Sequence, residues 1–208
     1  MFPLELVLLP TERVPLHIFE PRYKELVNEC LRAGSEFGIL LSDGDGQREV
    51  GTRAAVVEVL QVFEDGRLNV VVEGSERFRV ARPTGGRSFA TAEVEAVEDE
   101  PDAARAGEVD AAMQAFDGLV EAAEAEVARP EPAAEGLSWA LAARVEFGLA
   151  PKQELLELRS ERARLLRVTE LLEHATRGLV LERSVRERAS GNGKVSPQPR
   201  LPGPDSTA

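Results

Sequence analysis

The sequence predicts an α+β fold in which a strand-rich half comes before a helical half. Residues 2–98 contain about six apolar or alternating runs separated by turn residues, a spacing typical of a barrel or a strongly curved sheet. One amphipathic helix interrupts these runs. From residue 101 onward the composition shifts to Ala, Leu, Glu and Arg, and the apolar residues recur with helical periodicity.

The six predicted strands are short apolar or alternating segments that end at Pro, Gly or Asp. An Asp-Gly pair separates two β-branched runs near residue 65, and this is a strong signal for a β-hairpin. A Gly-Gly pair at residues 85–86 separates the last two runs. In chain order the predicted strands are residues 4–9, 37–41, 54–63, 68–72, 78–82 and 89–97.

The interrupting helix is predicted from Pro21 to the residue before Gly34. Proline suits the first helical position because its missing N–H would have no partner there, and glycine suits the position after the last turn. Apolar residues recur on one face of this segment. They are Tyr23, Leu26, Val27, Cys30 and Leu31, so we expect the single cysteine to lie in the core.

The helical half is predicted to contain three shorter helices, over residues 107–128, 135–147 and 151–158, and one long terminal helix. Ser160 can cap the long helix, which should reach about residue 188 and bury a seam of Leu165, Val168, Leu172 and Ala175. The polar, proline-rich end has no apolar periodicity and is predicted to be disordered. We therefore expect three units: a β subdomain (1–100), a helical subdomain (101–189) and a tail (190–208).

Composition excludes several classes of function. One cysteine and two histidines among 208 residues argue against a disulfide framework, a zinc site or any other resident metal. The net charge of −12 counts against nucleic-acid binding, which depends on neutralising phosphates. No apolar run approaches the length of a membrane span, and the first residues lack a basic segment before an apolar one. We expect a cytoplasmic protein that uses no cofactor.

The segment Pro15-Leu16-His17-Ile18-Phe19-Glu20-Pro21-Arg22-Tyr23 closely resembles the N-terminal substrate-binding domain of Lon-type ATP-dependent proteases. Further matches to that family follow in the same order, at residues 74–80, 137–142 and 152–157, so the resemblance covers roughly residues 2–180. The segment between Leu9 and Pro15 looks shorter than the family pattern. The resemblance implies a β pseudo-barrel related to PUA-like folds, followed by a helical bundle, and it implies binding of unfolded or degron-bearing proteins.

The catalytic modules of Lon proteases have no counterpart in the sequence. No Gly-x-x-x-x-Gly-Lys-[Ser/Thr] loop is present to bind phosphate, and residues 191–196 imitate one only weakly. A Ser–Lys dyad needs a buried lysine, whereas the three lysines lie in polar helical settings or in the tail. We therefore predict a non-enzymatic, stand-alone binding module. It would act as an adaptor or regulator in protein quality control, with an ATP-dependent protease as one potential partner.

The predicted mechanism is burial of apolar peptide side chains in a concave surface, with hydrogen bonds to a strand edge fixing the register. Glu20, Arg22 and Tyr23 would rim the cleft, and Arg suits this role because its planar group donates paired hydrogen bonds. Each candidate also has a structural interpretation, such as an ion pair at the helix start or packing in the core. Trp139, for example, can share a helix face with Phe147. The full set of peptide-binding candidates is His17, Glu20, Arg22, Tyr23, Arg77, Phe78 and Trp139.

Two other functions remain open at this point. A PUA-like barrel could bind a small molecule or RNA, and basic surface around Arg22, Arg77 and Arg79 would favour RNA. A hydrolase acting through His17 and Glu20 is the third hypothesis, and it would require these two side chains to cooperate.

Overall fold

The computed structural model describes residues 1–132 and 136–191, with side chains up to residue 186, and it confirms the predicted α+β fold. Apart from residues 190 and 191, which end the last helix, the predicted tail lies outside the described residues. The strands are β1 (Phe2–Leu4), β2 (Arg13–Ile18), β3 (Phe37–Asp43), β4 (Gly46–Gln47), β5 (Val50–Val62), β6 (Leu68–Thr84) and β7 (Thr91–Ala96). The helices are α1 (Pro21–Ala33), α2 (Ala106–Ala123), α3 (Leu137–Ala142), α4 (Leu149–Glu157) and α5 (Glu161–Gly191).

All seven strands belong to one mixed sheet with the order β1-β3-β5-β6-β2, to which β4 adds on β3 and β7 on β6. The long β6 pairs with β5 along one edge. Along the other edge β6 pairs first with β2, through residues 68–73, and then with β7, through residues 78–84. The two strands predicted over 68–72 and 78–82 are therefore one continuous strand of 17 residues.

The first predicted strand, residues 4–9, is wrong in its extent, because only Leu4 of that run belongs to β1. Leu8 and Leu9 are buried without strand pairing, because hydrogen bonds outside the sheet reach their backbone groups. The Leu8 carbonyl accepts a hydrogen bond of 2.6 Å from the Thr52 hydroxyl, and the Leu9 N–H donates to the Glu12 carboxylate at 2.9 Å. An apolar run can thus be core without being a strand.

Helix α1 confirms the predicted start and stop. Pro21 begins the helix, and Gly34 ends it in the left-handed conformation with φ of 61°. Tyr23, Leu26, Val27 and Cys30 are buried as predicted, whereas Leu31 lies at the margin of the stripe and is 39% exposed.

The two halves of the chain share a core. One cluster lies between α1 and the sheet, but a second consists of sheet-side residues packed on the helices, including Val7, Leu9, Leu41 and Val50. Their helical partners are the buried residues of α2, α3, α4 and α5, among them Phe116, Leu141, Leu156 and Leu165. The β half is thus completed by the helices rather than closed on its own.

The helix boundaries differ from prediction at two places. Helix α2 ends at Ala123 because Glu124 adopts a left-handed conformation. Helix α3 covers only Leu137–Ala142, so Trp139 and Phe147 do not share one helix face. The predicted cap of α5 is present, since the Ser160 hydroxyl accepts a hydrogen bond of 2.9 Å from the Ala163 N–H.

Within the described ranges, no helix combines the length and the hydropathy needed to span a bilayer.

Candidate functional site

Three aromatic rings meet at the end of β2. The exposed His17 ring stacks on Phe19 with centroids 5.8 Å apart and meets Phe63 edge-on at 6.0 Å. His17 lies opposite Asn69 in the sheet, and its Nδ1 donates a hydrogen bond of 2.6 Å to the Asn69 Oδ1. Phe19 is 59% exposed although it directly follows the buried Ile18. We call His17, Phe19 and Phe63 the aromatic patch.

The helix start beside the aromatic patch contains the predicted ion pair. The Arg22 guanidinium lies 2.8 Å from the Glu20 carboxylate and stacks over the Tyr23 ring at 4.5 Å. Tyr23 itself is buried against Phe2, and this burial raises the pKa of its hydroxyl. Glu20 and Arg22 are therefore surface groups, whereas Tyr23 supports them from the core.

Exposed apolar side chains also lie along β5, which ends at Val62, directly before Phe63 of the aromatic patch. Leu60 and Val62 are 53% and 66% exposed, although they lie in a strand. Large exposed apolar residues of the described chain concentrate in two places, the end of α5 and this region. We define the hairpin surface as the aromatic patch together with Val57, Val59, Leu60 and Val62.

Arg77, Phe78 and Trp139 lie elsewhere, inside the molecule. Phe78 is buried beneath Gly38, where a Cβ atom would overlap its ring. Arg77 donates hydrogen bonds to the carbonyls of Leu156 at 2.9 Å and Leu158 at 2.7 Å, and also to Asp99. Burial lowers the pKa of Arg77, and the neighbouring Asp99 opposes this shift.

Two guanidinium groups lie near the Trp139 ring centroid, that of Arg164 at 3.9 Å and that of Arg77 at 5.4 Å. Trp139 and Arg77 line a cleft of about 1130 Å³ between the sheet and the helices. Apart from Arg77, its charged lining residues are all carboxylates: Glu76, Glu98, Asp99, Glu100, Asp102 and Glu161. The structure thus divides the seven predicted residues between the hairpin region, the core and this junction.

The geometry does not assemble the hydrolase of the third hypothesis. His17 bonds to Asn69, and Glu20 bonds to Arg22, so the two side chains are engaged with other partners. In the described part of the chain, no three His, Cys, Asp or Glu side chains are grouped so that they could hold a metal ion. What the site offers is exposed apolar surface, aromatic faces and the donors and acceptors of a sheet.

Sequence reasoning missed the most exposed members of the hairpin surface, which are Phe19, Leu60 and Val62. One signal could have found Phe19. An apolar residue directly before a helix N-cap usually packs against the fourth helical residue, which here is the polar Lys24. Nothing comparable marks Leu60 or Val62, because their β-branched and apolar surroundings read as an ordinary buried strand.

Comparison with known proteins shows which family has this sequence and fold. A sequence profile described as "ATP-dependent protease La (LON) substrate-binding domain" matches residues 1–174. The crystal structure of a Lon N-terminal domain protein from Xanthomonas campestris is similar, with 30% identity and a TM-score of 0.61 over 79% of this chain and 92% of that one. The N-terminal domain of the Mycobacterium avium complex Lon protease shares the fold, with 18% identity and a TM-score of 0.59 over 82% and 96% of the two chains. The chain therefore belongs to the family of Lon substrate-binding domains.

Proposed function

We propose that this protein binds exposed apolar segments of unfolded or degron-bearing proteins on the hairpin surface, and that it does so without cleaving them. The observation that carries the proposal is the exposure of Val57, Val59, Leu60 and Val62 along β5, and of Phe19 in the aromatic patch, whose Phe63 directly follows that strand. Several large apolar side chains exposed along one strand are typical of interaction sites in soluble proteins. Membership of a substrate-binding family supports a protein partner.

Charge supports a protein partner over a nucleic acid. The arginines that could have formed a basic face are each neutralised by a carboxylate: Arg22 by Glu20, Arg77 by Asp99 and Arg79 by Glu49. Together with the net charge of −12, this pairing leaves little to attract phosphates.

The proposal includes a role as an adaptor or regulator of proteolysis. The support for it is membership of the family of Lon substrate-binding domains, together with the absence from the sequence of a phosphate-binding Gly-Lys loop and of a suitable Ser–Lys dyad. In this role the protein would hold a client while a separate ATP-dependent protease cleaves it.

The proposal is tested by binding of fluorescein-labelled casein, an unfolded client, to the wild type and to Phe19→Ser and Val62→Ser. Each variant removes exposed apolar surface, so stability should stay close to wild type while affinity falls about tenfold, as for a central interface residue. Val185→Ser, which removes an exposed valine on α5, is the matched control and should bind normally. Equal binding by all four proteins would rule out the hairpin surface as the site.

A further inference from the structure

We propose, as an extension of the function proposed above, that the client segment binds as an added β-strand along residues 55–62 of β5. The partner would be a short extended segment with apolar side chains and basic ends. The exposed apolar side chains of β5 would contact its side chains, and the free edge of β5 would contact its backbone.

The first step is that this edge has no backbone partner in the described structure. Strand β3 pairs with β5 only between Thr52 and Ala54, through Ile39 and Phe37. Beyond Ala54 the ladder of β5 continues on the β6 side alone, as far as Val62. Among residues 1–132 and 136–191, no other backbone hydrogen bond reaches residues 55–62. A row of unpaired N–H and C=O groups is a template for another strand.

The second step is a comparison with the other free edges of the sheet. Proteins protect such edges with proline, with charge or by keeping them short. Strand β2 carries Pro15 and Arg13, β1 has three residues including Pro3, and β7 carries Glu93 and Glu95. Residues 55–62 contain no proline and a single charge, that of Glu58. This edge of β5 thus lacks the prolines and the paired charges of those strands and is longer than β1, although two bulges bend it.

The third step concerns the occupant. Val57, Val59, Leu60 and Val62 are exposed along this edge and would bury apolar side chains of an added strand. Within the described chain, Glu58 and the nearby Glu64 make no ion pair, so lysines near the ends of the segment would be attracted. A second copy of this protein would instead bring the same carboxylates and another net charge of −12. Charge therefore favours a basic client over self-association.

The fourth step sets the length of the segment. The ladder between β5 and β6 shifts register between Val56 and Glu58 and again between Val59 and Gln61. Such bulges twist and bend a strand, which limits how far a straight partner can follow it. We therefore expect a short segment, and a nine-residue peptide is a suitable probe.

The experiment uses the full chain and two labelled peptides measured by fluorescence anisotropy. The first peptide alternates valine and threonine with a lysine at each end. Its twin has the same side chains but carries N-methyl groups on two neighbouring central residues, so both of its edges lose a donor. Strand addition predicts that methylation weakens binding about tenfold. Leu60→Lys should weaken binding of the first peptide, whereas the matched control Leu181→Lys, on α5, should not.

The outcomes separate this inference from the function on which it rests. Equal affinity for the two peptides would overturn strand addition, and so would casein binding without peptide binding, while both results leave capture of apolar segments intact. Failure to bind casein as well would overturn both proposals. A dimer in sedimentation equilibrium that Leu60→Lys dissociates would assign the edge to a second copy, which also overturns the inference.

Discussion

Arg164 has no exposed side-chain surface, yet it carries a charge between two carboxylates. Its guanidinium lies 2.7 Å from Glu161, contacts Asp99, and donates hydrogen bonds of 2.8 Å to both the Ser138 hydroxyl and the Leu158 carbonyl. Arg164→Met would leave both carboxylates without this partner in a partly buried setting. We expect the free energy of unfolding to fall by about 3 kcal/mol or more, as measured by urea denaturation.

Arg167→Met is the matched control for Arg164→Met, because the same substitution is made one turn along the same helix. Arg167 pairs with Glu154 and Glu170 at the surface, where solvent screens the charges. We expect its loss to change stability by no more than about 1 kcal/mol. Similar costs for the two variants would show that the buried arginine is not a structural anchor.

At the scale of elements, the carboxylate of Glu108 stabilises the start of α2. Glu108 accepts a hydrogen bond of 2.9 Å from the Arg105 N–H and pairs with Arg162 of α5 at 2.8 Å. The backbone hydrogen bond first, and then Arg162, lower the pKa of Glu108 below its usual value. The charged carboxylate therefore stabilises the fold fully above the unfolded pKa of about 4.3, and this stabilisation is lost as the pH falls through the lower folded pKa.

We therefore expect Glu108→Gln to have a lower Tm than the wild type at pH 6, with the difference shrinking toward zero as the pH is lowered below about 4. Thermal melts between pH 2.5 and pH 7 measure this difference. Asp110→Asn, which neutralises an exposed carboxylate on the same helix, is the control and should show a smaller dependence. A Tm difference that stays constant with pH would contradict the assigned role of the charge.

Local signals explain which elements could be predicted from the sequence. The start and stop of α1 and the cap of α5 depend on residues a few positions apart, so Pro21, Gly34 and Ser160 were sufficient. The continuity of β6 could not be predicted, because residues 73–77, which include Gly74, contain no apolar residue and interrupt the strand pattern. In the structure Gly74 lies within β6 where the Leu9 carbonyl approaches so closely that a Cβ atom would overlap it. That approach is set by packing between distant segments.

The same distinction applies to the candidate site. The Glu20–Arg22 ion pair could be anticipated because its partners are two residues apart. The partners of Arg77 could not, since Leu156 and Leu158 lie about 80 residues further along the chain. The exposure of Leu60 and Val62 could likewise not be predicted from the sequence, because it depends on where β3 stops pairing with β5.

At the scale of the whole molecule, the β half depends on the helices for burial of both apolar and charged groups. Leu9 and Val50 are buried in the core cluster that the helices complete. Glu12, on the β side, accepts a hydrogen bond of 2.6 Å from Lys152 of α4, which is buried, so the polar setting predicted for this lysine is wrong. Without the helices, the apolar side chains would face water, and Glu12 and Arg77 would lose their partners across the junction.

We therefore expect a fragment of residues 1–104 to lack a cooperative fold, although it contains every strand of the sheet. The apolar area that loses its cover is worth about 25 cal/mol per Å², and a small domain has only about 5–15 kcal/mol of net stability to lose. The fragment should bind the dye ANS and give a poorly dispersed ¹H–¹⁵N correlation spectrum, as loosely packed states do. The full chain under the same conditions is the control. A well-dispersed spectrum and a sharp thermal transition for the fragment would show instead that the sheet and α1 form an independent folding unit, with the helices docked on a finished surface.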